Sequence, residues 1–147
     1  MGQRVPVYLI QTDTTVGFAS KDAQKLDRIK SRPAGKPYLE TVASLKELDA
    51  VCRVPKMMRK TVRRAKKTTF VYPDGIARRV VIQGDYARLL KKEGVLLSTS
   101  ANRSGDAFEA EWAAAQCDII VYTPGGFSQK TPSSIFKLGK ANVTQLR

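Results

Sequence analysis

The sequence predicts an α/β fold, a single domain over residues 1–147 built as a twisted, open mixed sheet with helical cover. Three observations carry that expectation. Short runs of β-branched and aliphatic residues recur along the chain, with amphipathic stretches of helical period between several of them. Small hydroxyl residues follow two of the apolar runs, which is where open α/β sheets present ligands. Hydrophobic residues make up 42% of 147, enough for one packed core and too little chain for two.

In chain order, residues 5–10 read as the first strand and run into the hydroxyl-rich loop Gln11-Thr12-Asp13-Thr14-Thr15-Val16-Gly17. A helix over about 22–30 turns Leu26 and Ile29 inward, and Pro33 marks its end. Residues 38–42 form a strand. Ser44 followed by Glu47 is a capping-box pattern opening a helix that buries Leu45, Leu48 and Val51. Residues 56–67 read as one amphipathic helix. Lys56, Arg59, Lys60, Arg63, Arg64, Lys66 and Lys67 fall on one side of it, and Met57, Met58, Val62 and Ala65 on the other. Strands at 68–72 and 78–82 flank the turn Pro73-Asp74-Gly75 as a hairpin. A helix over 85–92 turns Tyr86, Leu89 and Leu90 inward, and 95–97 is a buried strand. A helix over about 107–115 sets Phe108 and Trp112 one turn apart as core aromatics, and strands at 119–122, 134–138 and 143–146 close the chain. That makes about eight strands and five helices, with no internal repeat.

Lys and Arg number 26 against 13 acidic residues, a net charge of +13, which favours polyanionic partners: nucleotides, nucleic acid or an acidic surface. No acidic residue stands between Asp49 and Asp74, so the cations of 56–67 have no local partners. Phosphate backbone contact would relieve their mutual repulsion; a merely solvated face is the alternative. The chain has no histidine, which excludes a histidine base or triad. Two cysteines make neither a disulfide framework nor a four-ligand zinc site. Any metal would rest on carboxylates, hydroxyls or the substrate. The first apolar run is too short for a signal peptide, Pro6 disfavours myristoylation at Gly2, and no run reaches membrane-spanning length. A cytoplasmic protein without a membrane partner is expected.

Four polar clusters fall at the ends of these elements: Thr12-Asp13-Thr14, Lys30-Ser31-Arg32 with Lys36, Ser98-Thr99-Ser100-Ala101-Asn102, and Pro132-Ser133-Ser134. In extended chain Lys30 and Arg32 point to the same side and can clamp one polyanion. Each cluster also has a structural reading. Thr12 and Thr14 also suit turn hydroxyls, with Asp13 ordering their loop. Lys30 and Arg32 suit a helix C-terminus, and Arg79 a strand arginine reaching for solvent.

Taken together the clusters resemble the YrdC-like family of threonylcarbamoyl-AMP synthases, over nearly the whole chain. Thr12-Asp13-Thr14 with Gly17 resembles the family's Thr-Asp/Glu-Thr loop. Lys30-Ser31-Arg32-Pro33 followed by Lys36-Pro37 is similar to its Lys-x-Arg-Pro…Lys-Pro signature. Thr69-Phe70 resembles the strand with its central threonine, and Ala77-Arg78-Arg79-Val80 its Ala-Val-Arg-Val strand. Ser98-Thr99-Ser100-Ala101-Asn102 with Ser104-Gly105 matches its Ser-Thr-Ser-Ala-Asn-x-Ser-Gly motif without a gap. Pro132-Ser133-Ser134-Ile135 resembles its Pro-Ser-Thr-Ile segment, and Leu146-Arg147 its closing Leu-Arg.

The resemblance implies a basic concave groove on the sheet and a nucleotidyltransferase activity. L-Threonine, bicarbonate or carbon dioxide, and ATP would yield threonylcarbamoyl-AMP and pyrophosphate for threonylcarbamoyladenosine modification of tRNA. A separate transferase would complete that modification. Lys30, Arg32, Thr69, Ser98, Ser100, Asn102 and Arg147 would hold the nucleotide; Thr12, Thr14, Lys36, Arg79 and Ser133 would hold threonine or its carbamate. Magnesium would enter with the ATP phosphates. Substituting Lys30 or Arg32 by alanine would cost about 1.5–3 kcal/mol each as lost charged hydrogen bonds. The chain departs from the pattern at Gln11, where the family has proline, and at Thr15-Val16, where it has Val-Tyr. Between Gly17 and Lys30 it is several residues short, and Ala65-Lys66-Lys67-Thr68 replaces a Pro-Gly-Pro turn. A second reading uses the same scaffold without catalysis, as a binder of tRNA or double-stranded RNA through the cations of 56–67.

Overall fold

The computed structural model describes residues 4–147, so Met1 and Gly2 lie outside the described residues. Nine strands form one mixed sheet in the order β7-β1-β2-β6-β3-β5-β4-β8-β9. They are β1 (Val7–Gln11), β2 (Val16–Ser20), β3 (Leu39–Val42), β4 (Thr68–Val71), β5 (Ala77–Val80), β6 (Leu96–Ser100), β7 (Ile119–Ile120), β8 (Ser134–Leu138) and β9 (Val143–Gln145). Five α-helices accompany them: α1 (Ala23–Lys30), α2 (Leu45–Val51), α3 (Arg59–Arg64), α4 (Gly84–Glu93) and α5 (Ala110–Gln116).

The ninth strand, β2, corrects the reading of 11–17 as a loop. β1 and β2 are an antiparallel hairpin, Ile10 facing Gly17 and Gln11 facing Val16. Only Thr12 to Thr15 turn the chain, closed by the Thr12 hydroxyl on the Thr15 carbonyl at 2.6 Å. β2 lies between β1 and β6 and is buried along its whole length, so its sequence has no polar–apolar alternation to announce it.

Side-chain caps fix the starts of two helices. Asp22 caps α1 by accepting from the Gln24 and Lys25 amides, and Ser44 caps α2 through the Glu47 amide at 3.1 Å. The helix expected over 56–67 is much shorter. A 3-10 turn at Lys56–Met58 leads into six α-helical residues, and Ala65 is already extended. No side chain caps its start, and continuing through Lys66 and Lys67 would stack like charges at helical spacing. Lys66 and Lys67 therefore stand in the connection to β4, with Lys67 in the left-handed region at φ 49°. Met57, expected on the apolar side, is 70% exposed. The helix expected at 107–115 starts at Ala110 instead, so Phe108 precedes it. Both aromatics still join the core, Trp112 edge-on to Phe18 at 5.9 Å and Phe108 edge-on to Phe127 at 6.3 Å.

The two faces of the sheet are covered unequally. Val7, Leu9 and Phe18 point toward Leu26 of α1 and Ala113 of α5. Val42 and Phe70 pack on that same side with Leu48 of α2 and Val62 of α3. The opposite face carries Tyr8, Ile10 and Ala19, and α4 packs there through Tyr86, Ala87 and Leu90. Beyond α4 that second face is open, and three of the four polar clusters meet on it. No helix among the described residues is long and apolar enough to cross a membrane.

Candidate active site

Strand register explains why residues far apart in sequence share one surface. Leu39 lies opposite Ser98, Gly17 opposite Ser100, and Thr69 opposite Ile135. Phe70 pairs with Arg78, which brings Thr69 and Arg79 to one side of the sheet, since side chains alternate faces along each strand. These positions floor a cavity of about 470 Å³, within the roughly 300–1,000 Å³ of small-molecule sites. Thr12, Thr14 and Thr15 rim it on the side of the β1–β2 turn, and Gln129, Lys130, Pro132 and Ser133 on the other.

Arg79 organises the floor. It is 5% exposed, and its Nη2 pairs with Asp13 Oδ1 at 3.1 Å. Its Nη1 donates weakly to Thr69 Oγ1 and Ser133 Oγ, both at 3.4 Å. Those two hydroxyls share a hydrogen bond of 2.8 Å. The Arg79 Nε–H has no partner, so the guanidinium keeps a buried donor in the pocket wall. Arg147 adds a second cation, donating through Nε and Nη2 to the Ser133 carbonyl at 3.0 and 2.8 Å. With Lys130 the lining holds three cationic side chains and no Asp or Glu, and Asp13 is engaged behind Arg79. Such a surface concentrates anions.

Ser98, Ser100 and Asn102 enter from the end of β6. The Ala101 amide bonds to the Val16 carbonyl at 3.1 Å, holding this segment against β2. Asn102 is turned by its own side chain, whose Nδ2 donates to the carbonyls of Arg103 and Asp106. Gly17 makes the close approach possible, because a Cβ there would stand 3.0 Å from the Thr99 carbonyl oxygen and 3.4 Å from Thr12 Cγ2. Gly17→Ala should therefore destabilise the fold by about 1–3 kcal/mol through overpacking. A thermal midpoint equal to that of the unsubstituted chain would refute this.

Nine of the residues proposed from sequence thus line one cavity: Thr12, Thr14, Thr69, Arg79, Ser98, Ser100, Asn102, Ser133 and Arg147. Lys30, Arg32 and Lys36 do not, and the expected clamp of Lys30 with Arg32 is not formed. α1 runs to Lys30 and Ser31 adopts a left-handed cap, so the two side chains are not in extended chain and diverge. Lys30 is buried behind the Ser98–Asn102 segment, with Nζ donating to the Ser100 and Asn102 carbonyls. Burial lowers its pKa first, and the nearby Arg32 charge adds to that. Arg32 lies over the Tyr38 ring, 4.2 Å from its centroid, and donates to the Pro37 carbonyl. Lys36 is exposed and borders no part of the cavity.

The strand-arginine reading of Arg79 also fails, because its head is buried against Asp13 rather than in solvent. Thr12 combines both readings, closing the turn and facing the cavity. Gln129 and Lys130 went unread in the sequence. Their segment has no strand or helix pattern and is tied to the sheet by long-range bonds, Ser128 N to Gln11 Oε1 at 2.8 Å and Val16 N to the Ser128 carbonyl. Gln11, which stands where the resemblance expects proline, supplies that tether. The seven cations of 56–67 are all exposed and lie outside the cavity.

No family model matches the chain. Sua5 from P. abyssi, solved in complex with L-threonine, superimposes over 97% of the chain and 50% of its own, with TM-score 0.79 and 20% identity. E. coli YciO does so over 97% of the chain and 82% of its own, with TM-score 0.74 and 21% identity. The fold is YrdC-like. A curated protein, the uncharacterized protein MG259 homolog of Mycoplasma pneumoniae, is 26% identical over 93% of the chain. The chain spans 31% of that relative's length and about half of the Sua5 chain. At these identities the YrdC-like fold is what the comparisons share with this chain.

Proposed function

We propose that the cavity is the active site of an L-threonylcarbamoyladenylate synthase. The observation that carries this reading is the convergence of hydroxyls and cations from β4, β5, β6 and the segments beside β1, β8 and β9 on one pocket, centred on the buried Arg79. Two findings support it: the Ser-Thr-Ser-Ala-Asn resemblance falls on that pocket, and a structure sharing the fold is of a protein in complex with L-threonine.

In the proposed reaction the threonine amine adds carbon dioxide to give a carbamate and release a proton. A carbamate oxygen then attacks the α-phosphorus of ATP, the bond to the bridging oxygen breaks, and pyrophosphate departs with the electron pair. Every reactant is an anion or becomes one. Such displacements need positioning and charge neutralisation more than a proton-transfer residue, so a chain without histidine suffices. Arg79, with Thr69 and Ser133, suits the threonine carboxylate or the carbamate. Ser98, Ser100 and Asn102 suit the nucleotide, with Lys130 and Arg147 as counter-charges. Lys30 acts through the segment it holds.

Magnesium would be carried by the triphosphate. The cavity wall presents hydroxyl and amide oxygens to it, and an ion that keeps phosphate oxygens and waters needs few protein ligands. No cluster of three acidic or thiol groups exists among the described residues to hold it independently. RNA binding without catalysis is the competing reading. It draws on the charge of 56–67 and leaves the buried Arg79 network without a role.

The deciding measurement is pyrophosphate release from ATP. It should require both L-threonine and bicarbonate, and calorimetry should show that ATP and threonine each strengthen the other's binding. Turnover indifferent to threonine, or no turnover beside RNA retention at moderate salt, would refute the synthase reading.

A further inference from the structure

A second cavity, of about 220 Å³, opens outside the pocket between α3 and the segment leading from β5 into α4. Its walls are aliphatic: Leu45, Val62, Ala65, Val80, Val81 and Ile82. Ile82 is 62% exposed and Leu45 36%, so apolar surface of the groove is left in water. A smaller hollow shares Leu45, Val62 and Arg63 and continues along α2, with Asp49 and Arg59 at its rim.

Charge surrounds this apolar strip on one side. Arg63, Lys66 and Lys67 border the larger cavity, all exposed. Among the described residues none of them is within ion-pair reach of a carboxylate. Lys56, Arg59, Lys60 and Arg64 extend the same field. Asp13 closes the inner end, but its carboxylate is already matched by Arg79.

We propose that this groove docks an acidic segment of a partner protein, with an apolar anchor residue buried between α3 and Ile82 and flanking carboxylates on Arg63, Lys66 and Lys67. The anchor would bury the exposed aliphatic wall, and the carboxylates would neutralise cations that now repel one another, steering the partner and setting its register. The composition of the groove disfavours a nucleobase as occupant. Base recognition uses aromatic plates with polar groups at the base edge, whereas this lining has no aromatic side chain and one neutral amide, Gln83. The inference does not rest on the synthase reading, because neither Ile82 nor Lys66 lines the pocket.

The test uses the full chain and a fluorescein-labelled synthetic peptide with two central leucines between runs of glutamate, followed by anisotropy. A version with serines for the leucines and a duplex RNA of about 16 base pairs are titrated in parallel. The leucine peptide should bind at least about tenfold more tightly than the serine peptide. Ile82→Glu should weaken it by a similar factor. Ile82→Lys, which adds a cation, should erase the preference for leucine while leaving attraction to both peptides. Equal binding of the two peptides, no binding of either, or an Ile82→Glu effect confined to the RNA would each overturn the proposal. Ile82 is at the surface, so both variants should fold, and an unchanged thermal midpoint checks this.

Discussion

Arg79→Ala is expected to lower threonine-dependent pyrophosphate release on the order of a hundredfold or more, and to destabilise the fold as well. The first effect follows from removing a preorganised donor where negative charge must be held; a single such group is typically worth about 10²–10³ in rate. The second follows from Asp13. Its carboxylate is only 15% exposed and has the guanidinium 3.1 Å away as its counter-charge. Deleting one member of a buried pair costs about 3–5 kcal/mol, because the other charge is left uncompensated. The two effects should separate in a double variant. Asp13→Asn added to Arg79→Ala should restore much of the thermal midpoint and none of the turnover. Normal turnover in Arg79→Ala would remove this arginine from the chemistry. Full loss of stability unrelieved by Asp13→Asn would show that packing, not charge, is what it supplies.

Lys30→Ala and Arg32→Ala, equal in effect by sequence alone, are expected to differ strongly. Lys30 Nζ joins α1 to the carbonyls of Ser100 and Asn102, so its loss unpins the segment that presents Ser98, Ser100 and Asn102 to the cavity. The variant should lose about 1.5–3 kcal/mol of ATP affinity, the worth of a charged hydrogen bond, with two carbonyls left without a donor. Arg32 instead stacks on Tyr38, whose hydroxyl donates to Asp27 at 2.6 Å. Losing that partly exposed contact should cost no more than about 1 kcal/mol, seen in stability rather than in ATP binding. Calorimetric titration of both variants with ATP decides the matter. Equal losses of affinity would mean that Arg32 swings into the cavity when nucleotide binds.

These contrasts mark where sequence reading succeeds and where it stops. The cap at Ser44 and the β4–β5 hairpin around Gly75 were legible because each depends on residues within one turn of the chain. The hydroxyl clusters pointed to the cavity because open α/β sheets place ligands beyond the ends of their strands. β2 was invisible because a strand buried on both faces has no alternation, and the hydroxyls at its borders, Thr15 in the turn before it and Ser20 as its last residue, resemble loop. The 56–67 segment misled in the opposite way. Its helical period was real, but charge repulsion and the approach to β4 end the helix at Arg64.

Thr69, Arg79 and Arg147 were marked only by the family resemblance, whereas composition and local pattern alone determined the class of fold and the hydroxyl clusters at Thr12, Ser98 and Ser133. Those properties are carried by side-chain chemistry and short-range periodicity. Only the tertiary structure decided that Arg79 meets Ser133, 54 residues away, and that Asp13 stands behind it as counter-charge. It also decided that Lys30 braces the Ser98–Asn102 segment from outside the cavity instead of lining it. Strand register and burial set these roles, and both are properties of the assembled sheet: a lysine's motif names its charge, but the carbonyls that charge will find depend on which strand lies alongside.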